Sequence, residues 1–377
     1  MSAQLRPSAF SMLRAVGSCS VIDIFQLLCI QGKRAHYGER FGLPANCFPV
    51  SIPAFPQSPR AERFHRFFQA YQPFTKTHAL RFKMLNFSYA NPTRLVFGRS
   101  AEHEVGRVMT SILGRPGKVL VLFGGGSAHR TGILGAVEDS LQESGFAVIE
   151  MGGVQPNPRM GFVRDTIDWV RDQGIRAVVA VGGGSVIDTA KAVAAGLEYE
   201  GDAWDFFAGR AQVERALPVF AVLTIPAAGS EQSIRAVITH HGTKTGIGSE
   251  HIRPKAAFIN PERFSTLPAI HISAGVCDML SHICERYFSN TAATDFVDGQ
   301  AEAALRTIIE FGPKVLADPS NYDAWCQIGL AGSFAHNGIF GLGREEDWAC
   351  HAIEHEISGG NESIIHGCGL AVVMPAW

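Results

Sequence analysis

The sequence predicts an α/β fold with a parallel sheet and crossover helices, followed by an all-helical region. Short, continuous apolar runs recur between residues 84 and 262, as expected of strands buried on both faces of a parallel sheet. Segments with apolar residues at helical spacing separate these runs, and this alternation is typical of parallel sheets. After about Pro261 only helical spacing remains, so we expect one domain over 84–262 and a helical one over 263–377.

The elements follow from these patterns in chain order. In the first domain, apolar runs predict strands over 119–123, 146–151, 177–181 and 219–224. Apolar residues three and four apart predict the helices between them, over 133–141, 162–170 and 186–195. In the second domain the same spacing predicts helices over 274–288, 294–311, 322–336 and 347–357.

Composition limits the class of function. The 377 residues carry a formal net charge of −2, without the basic surplus of nucleic-acid-binding domains. No apolar run reaches the roughly 18 residues of a membrane span, and the best candidate, 21–30, is interrupted by Asp23 and Gln26. The eight cysteines form no C-x-x-C pair and are predicted to be reduced thiols. We therefore expect a cytoplasmic protein with neither nucleic-acid nor membrane partners.

Residues 1–83 differ chemically from the rest of the chain. They hold eleven basic and three acidic residues, whereas the remainder holds 22 basic and 32 acidic ones. They show four prolines within 49–59 and no sustained periodicity, and are predicted to be disordered. Three interpretations stay open: a basic arm, an Arg-rich targeting segment, or upstream sequence joined by a misplaced start codon. The well-patterned start at Met84 favours the third.

Two identical glycine runs follow two of the predicted strands. Each run reads Gly-Gly-Gly-Ser and leads toward a helix, at 124–127 and at 182–185. Glycines allow backbone N–H groups to approach a phosphate, and a helix N-terminus favours negative charge. Neither run is G-x-G-x-x-G, so a tight strand–helix turn is the alternative. Two such runs together predict a Rossmann-like nucleotide domain with these contact residues: Gly124, Gly125, Ser127, Gly183, Gly184 and Ser185.

Two further features near the second run are candidate cofactor contacts. Asp188 lies one turn into the following helix, and the loop from Thr224 to Ser230 ends the fourth strand. Their carboxylate and hydroxyl groups could contact a ribose or a nicotinamide. Simple helix capping is the alternative interpretation of the Thr–Ser loop.

Ligand-type residues recur at helical spacing in the second domain. Asp278 and His282 are four residues apart and share a helix face, as do His351 and His355. His366 follows in a glycine-rich segment that is predicted to be a turn. One carboxylate and three imidazoles from this set suit a divalent metal of borderline hardness, chiefly Fe(II) or Zn(II).

The segment His351-Ala352-Ile353-Glu354-His355 also matches H-x-x-E-H, a zinc-protease pattern in which Glu354 would be the base. That hypothesis needs a further ligand, and Glu362 lies only seven residues beyond His355. It leaves both glycine runs and the Asp278–His282 pair unexplained. A hydrolase is therefore kept only as an alternative.

From Met84 onward the chain resembles the iron-containing alcohol dehydrogenase family, in its butanol dehydrogenase and aldehyde reductase branch. The resemblance rests on ordered motifs spread over nearly all of 84–377: Asn86-Phe87, Pro92-Thr93-Arg94, Phe97-Gly98, Pro156-Asn157-Pro158, Gly182 to Ser185 with Asp188 and Lys191, Thr224 to Ser230, Gly275 to Glu285, and Asp347 through His366 to Pro375.

The resemblance implies a fold and a set of site residues. It implies an opening β-hairpin near residue 86, then a nucleotide domain and a helical metal domain with the active site between them. The implied metal ligands are Asp278, His282, His351 and His366, and His355 occupies a proton-relay position. Asn157 and Lys244 fall at cofactor-contacting positions. The implied reaction is the reversible reduction of short aldehydes to primary alcohols by a commonly homo-oligomeric enzyme.

The local sequence favours NADP(H) over NAD(H). Members that prefer NAD carry an Asp after the first strand, where it would repel a 2′-phosphate; here that position is Gly124, and His129 and Arg130 follow.

Three departures from the family pattern raise a further alternative. Residues 1–83 have no counterpart, and His351 and His366 are fifteen residues apart where fourteen is usual. The chain ends at Trp377, while family members continue with further helices. This predicts an incomplete metal domain with exposed apolar surface, and an inactive nucleotide-binding fragment is the corresponding alternative.

Overall fold

The computed structural model describes residues 83–377. The prediction for residues 1–83 therefore lies outside the described residues, apart from Lys83. Six parallel strands form one sheet in the order β1-β8-β5-β4-β2-β3. In chain order they are β1 (Arg94–Phe97), β2 (Lys118–Phe123), β3 (Ala147–Met151), β4 (Ile175–Gly182), β5 (Val219–Leu223) and β8 (Ala256–Ile259). The remaining strands, β6 (Arg235–His240) and β7 (Thr243–Gly248), form a separate antiparallel hairpin.

The apolar runs form strands because both sheet faces are covered. In β2, Leu120 and Leu122 belong to one hydrophobic core, and Val119 and Val121 belong to the core on the opposite face. All four side chains are fully buried, as the period of two along a strand requires. The helices that cover the sheet and its connections are α1 (Val105–Leu113), α2 (Ser127–Arg130), α3 (Ile133–Glu143), α4 (Met160–Val170), α5 (Gly184–Gly196) and α6 (Trp204–Phe207).

Five helices make up the second part of the chain. They are α7 (Ala269–Tyr287), α8 (Asp295–Ala317), α9 (Tyr322–Phe334), α10 (Ala349–Gly360) and α11 (His366–Val373). Helix α7 is buried at every residue from Ile272 to Tyr287, after an exposed first turn, and packs against α8 and α11. A helix that is buried on all sides lies in the core. Its polar side chains cost folding free energy unless they are paired or bind a ligand. Ile272 and Met279 join the same core as Leu120 and Leu122.

The predicted fold class, a parallel α/β sheet followed by helices, is confirmed. The expected opening hairpin is wrong: residues 86–93 form no strand, and β1 pairs in parallel with the distant β8. Helix α7 begins five residues before the predicted 274, and α8 extends to Ala317 through Pro313. The predicted glycine-rich turn at His366 is also wrong, since His366 is the first residue of α11.

No helix among residues 83–377 is both long and apolar enough to cross a membrane.

Candidate active site and metal centre

A cavity of about 740 Å³ lies between the carboxyl ends of β2, β4 and β5 and the inner face of α7. The topology explains its position, because parallel strands present their carboxyl ends on one edge of the sheet. All the site residues predicted from the sequence line this cavity: Gly124, Gly125, Ser127, Asn157, Gly183, Gly184, Ser185, Asp188, Thr224, Ser230, Lys244, Asp278, His282, His351, His355 and His366.

The two glycine runs connect strands to helices, as predicted. The second run starts α5, where the N–H groups of Val186 and Ile187 donate to the Gly183 carbonyl at 3.0 and 3.2 Å. A Cβ at Gly182 would lie 2.4 Å from Val186, so this turn requires glycine. Because α5 has 13 residues, its N-terminus presents a substantial helix dipole to the cavity. The first run leads into the single turn of α2.

Both carboxylate oxygens of Asp188 accept hydrogen bonds from other groups of the protein. Its two carboxylate oxygens accept from the Ser230 hydroxyl at 2.6 Å and the Val237 N–H at 3.0 Å. The buried Lys191 donates to the carbonyl and hydroxyl oxygens of Ser230 and to the Arg235 carbonyl. Burial raises the pKa of Asp188 and lowers that of Lys191 to about 8, each opposed by the charge of the other. These residues fasten the loop from Thr224 to Ser230 to α5.

Three of the predicted metal ligands, all histidines, approach the same carboxylate oxygen of the fourth, Asp278. The Oδ1 of Asp278 lies 3.5, 3.7 and 3.8 Å from the Nε2 atoms of His282, His351 and His366. Oδ1 of Asp278 and Nε2 of His351 are buried and have no hydrogen-bond partner among the described residues. Unpaired buried donors and acceptors are costly, so such a cluster needs another partner. The ligand atoms of Asp278, His282 and His351 all lie within 4.8 Å of one another and suit a single ion, whereas His366 meets that limit with Glu354 and His355 and approaches the cluster through Asp278.

Two carboxylates orient the imidazoles from behind. Nδ1 of His351 pairs with Glu285 Oε2, while Glu285 Oε1 accepts from the N–H groups of Cys350 and His351 at the start of α10. Nδ1 of His366 pairs in the same way with Glu354 Oε2. Such partners hold a histidine ring with its other nitrogen toward the metal.

Burial keeps most of these imidazoles neutral, as metal ligation requires. It lowers the pKa of His282 well below its usual value and that of His366 to about 3. Burial also lowers the pKa of His351, but the neighbouring carboxylates of Asp278 and Glu285 outweigh this and leave the pKa raised. The residues present therefore fit one divalent metal of the Fe(II) or Zn(II) type.

His355 and Glu354 do not form the arrangement of a zinc protease. The His355 ring lies 5.4 Å from that of His366, centroid to centroid, and no described residue hydrogen-bonds to it. The Oε2 atom of Glu354 contacts the Lys244 ammonium and the Nδ1 atom of His366. Glu354 thus occupies the Nδ1 side of the His366 ring, as a residue that orients the histidine would, and not the place of a base beside a metal-bound water.

Several site residues were missed in the sequence. Glu285 lies seven residues after Asp278, two helical turns along the same face, and this spacing could have shown it. The His336 ring stacks on His282 with centroids 4.6 Å apart, and Trp348 contacts both rings edge-on. His336 and Trp348 carry no spacing signal, because they come from segments that only the tertiary fold brings together.

Comparison with known proteins decides the family. Residues 92–261 match the model of iron-containing alcohol dehydrogenases, and residues 272–377 match that of the Fe-containing alcohol dehydrogenase family, C-terminal. The chain belongs to the iron-containing alcohol dehydrogenase family. The resemblance found in the sequence is thereby confirmed, and so is the prediction of a nicotinamide-dependent oxidoreductase.

Individual relatives place this family member in the predicted branch. The chain is 42% identical over 296 residues to a probable NADH-dependent butanol dehydrogenase of Bacillus subtilis, covering 78% of this chain and 76% of that protein. It is 37% identical over 298 residues to the NADPH-dependent aldehyde reductase YqhD of Escherichia coli, with 78% and 75% covered.

A crystal structure of NADH-dependent butanol dehydrogenase A from Thermotoga maritima superposes with a TM-score of 0.76 at 41% identity, covering 78% of this chain and 74% of that one. The relatives support a metal and a nicotinamide cofactor, and their names include both cofactor types. They give no support to the zinc-protease or inactive-fragment alternatives.

Proposed function

We propose that this alcohol dehydrogenase reduces short-chain aldehydes to primary alcohols, reversibly, at one divalent metal held by Asp278, His282, His351 and His366. The observation that carries the proposal is the convergence of three imidazole Nε2 atoms within 3.8 Å of the Asp278 Oδ1 atom. This cluster lies in the same cavity as both glycine runs. A reaction that used only the metal would not explain why both glycine runs line this cavity, whereas a bound nucleotide cofactor would.

The bound groups would supply the electrophile and the hydride: the metal polarises a carbonyl oxygen as a Lewis acid, and the reduced nicotinamide is a hydride donor. The side chains of α7, α10 and α11 hold the ligand atoms at fixed separation. Glu285 and Glu354 keep the rings of His351 and His366 in orientation.

The glycine turns would bind the pyrophosphate of the cofactor. The free N–H groups at the start of α5 and the absence of side chains at Gly183 and Gly184 support this role. Thr224 and Ser230 line the same wall of the cavity. Asp188, Asn157 and Lys244 already have protein partners, so their contribution to cofactor binding would be mainly to shape that wall.

His355 would move the proton to the product alkoxide. Burial and the neighbouring His366 lower the pKa of His355 to about 3, so the ring is neutral near pH 7. A neutral imidazole can donate from one nitrogen while it takes up a proton at the other. Its ring, free of hydrogen bonds to described residues, lines the cavity beside the ligand cluster.

The proposed cofactor contacts lie mainly in the first part of the chain and the proposed metal ligands in the second. We therefore propose two domains, 84–262 for the cofactor and 263–377 for the metal, with the reaction in the cleft between them. We also propose a preference for NADPH. The loop after β2 carries no acid, and Gly124 stands where an acid would repel a 2′-phosphate. His129 and Arg130, both exposed, follow five and six residues after Gly124.

A direct assay tests the reaction. We expect butyraldehyde to drive the loss of NADPH absorbance in protein reconstituted with Fe(II) or Zn(II), and a chelator to abolish that loss. The same assay with NADH should give a lower kcat/KM. Aldehyde reduction that survives complete removal of metal would contradict the proposal.

Placing an acid after β2 should change the cofactor preference. A Cβ at Gly124 would lie 3.4 Å from the Val154 carbonyl oxygen, ordinary contact, so Gly124→Asp is expected to fold. We expect kcat/KM with NADPH to fall about 10- to 100-fold, which corresponds to about 1.4–2.7 kcal/mol of repulsion. Activity with NADH should be retained. The control is Gly135→Asp on α3, where a Cβ meets no atom within 4 Å. An unchanged NADPH-to-NADH ratio in Gly124→Asp would show that the 2′-phosphate does not bind there.

A further inference from the structure

Glu354 is a fully buried carboxylate behind the metal cluster. Its side chain is 0% exposed, and its Oε2 atom pairs with Nδ1 of His366 and lies 3.5 Å from the ammonium of Lys244. Its Oε1 atom has no hydrogen-bond partner among the described residues. A buried carboxylate is costly unless charge and hydrogen bonds compensate it, so this one has a specific task.

Lys244 comes from the other part of the fold, on the β6–β7 hairpin, and its side chain is only 5% exposed. Its ammonium lies 3.1 Å from Asn157 Oδ1, 3.0 Å from Ser358 Oγ and 3.5 Å from Glu354 Oε2. These three acceptors use all three of its N–H groups. Burial lowers the pKa of Lys244, and Glu354 opposes that shift. A phosphate contact would therefore require the ammonium to leave one of these partners.

Asn157 extends the same cluster to the chain that precedes His366. Its amide nitrogen donates to the carbonyls of Glu362 and Ile364 at 3.0 and 3.2 Å, while its oxygen accepts from Lys244. Its φ of 53° lies in the left-handed region, which asparagine tolerates better than most residues. The position and the orientation of the His366 ring are thus both set by residues that Lys244 contacts.

The side chains of Glu354, His355 and His366 also offer ligand atoms within 4.8 Å of one another, the spacing of a second cation site. Lys244 already supplies a cation there, since its ammonium lies 3.5 Å from both Glu354 Oε2 and His366 Nδ1. The lysine thus supplies positive charge beside Glu354 and His366.

We propose that Lys244 and Glu354 form a buried positioning pair that holds His366 for metal binding and so couples the nucleotide-binding part to the metal centre. The proposal rests on the metal site of the proposed function. It gives Lys244 a role at the metal in addition to the cofactor-contacting position that the resemblance implies. Glu285 performs the corresponding task for His351 from within α7.

The test is the affinity of the full chain for Co(II) and Zn(II), measured by competition with a chelator, together with the visible absorption of the Co(II) form. We expect Glu354→Gln to weaken binding by about 10- to 100-fold, as loss of an orienting partner typically does, and to alter the Co(II) absorption bands. The matched control is Glu356→Gln, an exposed carboxylate on the same helix, which should bind like the wild type.

Lys244→Met should also weaken metal binding, and the double variant Lys244→Met/Glu354→Gln should be no worse than Glu354→Gln alone, because both residues act through one contact. The double variant also leaves no unpaired buried charge, and unfolding curves of the metal-free proteins check that each variant folds. Wild-type affinity and absorption in Glu354→Gln would overturn the positioning role. So would a Lys244→Met variant that loses only cofactor affinity. A wild-type chain that binds no metal would instead overturn the proposed function.

Discussion

Replacing Asp278 by Asn is expected to lower aldehyde reduction about 10³-fold, because a Lewis acid contributes several kcal/mol and each 1.36 kcal/mol is tenfold in rate. Asp278 is the only anionic member of the ligand cluster, and its Oδ1 atom faces all three histidine Nε2 atoms. Asparagine has nearly the same shape, so the packing of α7 should survive while the charge is lost.

The measurement pairs turnover with metal content. We expect Asp278→Asn to purify and unfold like the wild type while it holds far less than one metal per chain. Asp323→Asn, an exposed acid at the start of α9, is the matched control and should keep full activity. Turnover near the wild-type level in Asp278→Asn, with the metal absent, would mean that the reaction does not use this site.

The second large effect is expected from a single methyl group at Gly367. A Cβ there would lie 2.0 Å from the carbonyl oxygen of Ala274 and 2.6 Å from its carbonyl carbon. Both atoms belong to the backbone of α7, so no side-chain rotation can relieve the clash. Gly367→Ala must move α11 away from α7, and His366 at the start of α11 moves with it.

We expect Gly367→Ala to cost about 1–3 kcal/mol of unfolding free energy, as overpacking usually does. The same displacement widens the 3.8 Å separation of His366 Nε2 and Asp278 Oδ1, so metal affinity should fall about 10- to 100-fold or more. Gly360→Ala is the control, since a Cβ at Gly360 meets no atom within 4 Å. Metal affinity and thermal midpoint equal to those of the control would contradict the close helix contact.

Local sequence patterns were sufficient to predict the strands that are buried on both faces. Every residue from Val119 to Phe123 is apolar, and this pattern predicts a strand that is covered on both faces of the sheet. The start of α7 was placed too late because its first turn contains exposed residues such as Ile270 and no clear capping signal. The β6–β7 hairpin was not predicted, since its residues are mixed in polarity and its pairing lies outside the main sheet.

In the candidate site, too, sequence spacing predicted neighbours along a helix but not contacts between remote segments. Helical spacing linked Asp278 to His282 and His351 to His355. The resemblance then assigned His366 to the ligand set and His355 to the proton relay. Spacing could not show that Glu354 pairs with Lys244, because 110 residues separate them in the chain. It also could not show that Asn157 bonds to the segment before His366, 205 and 207 residues away.

The sequence by itself determined the parallel α/β sheet, the helical second part, the two glycine turns and the ligand-type residues of the candidate metal site. These properties depend on residue type and on periods of two to four residues, which the local chain carries. Only the tertiary structure decided which carboxylate holds which imidazole, that His366 begins a helix, and that Gly367 admits no side chain. Those contacts depend on the distance between segments that are remote in sequence, and that distance is set by the packing of α7, α10, α11 and the β6–β7 hairpin.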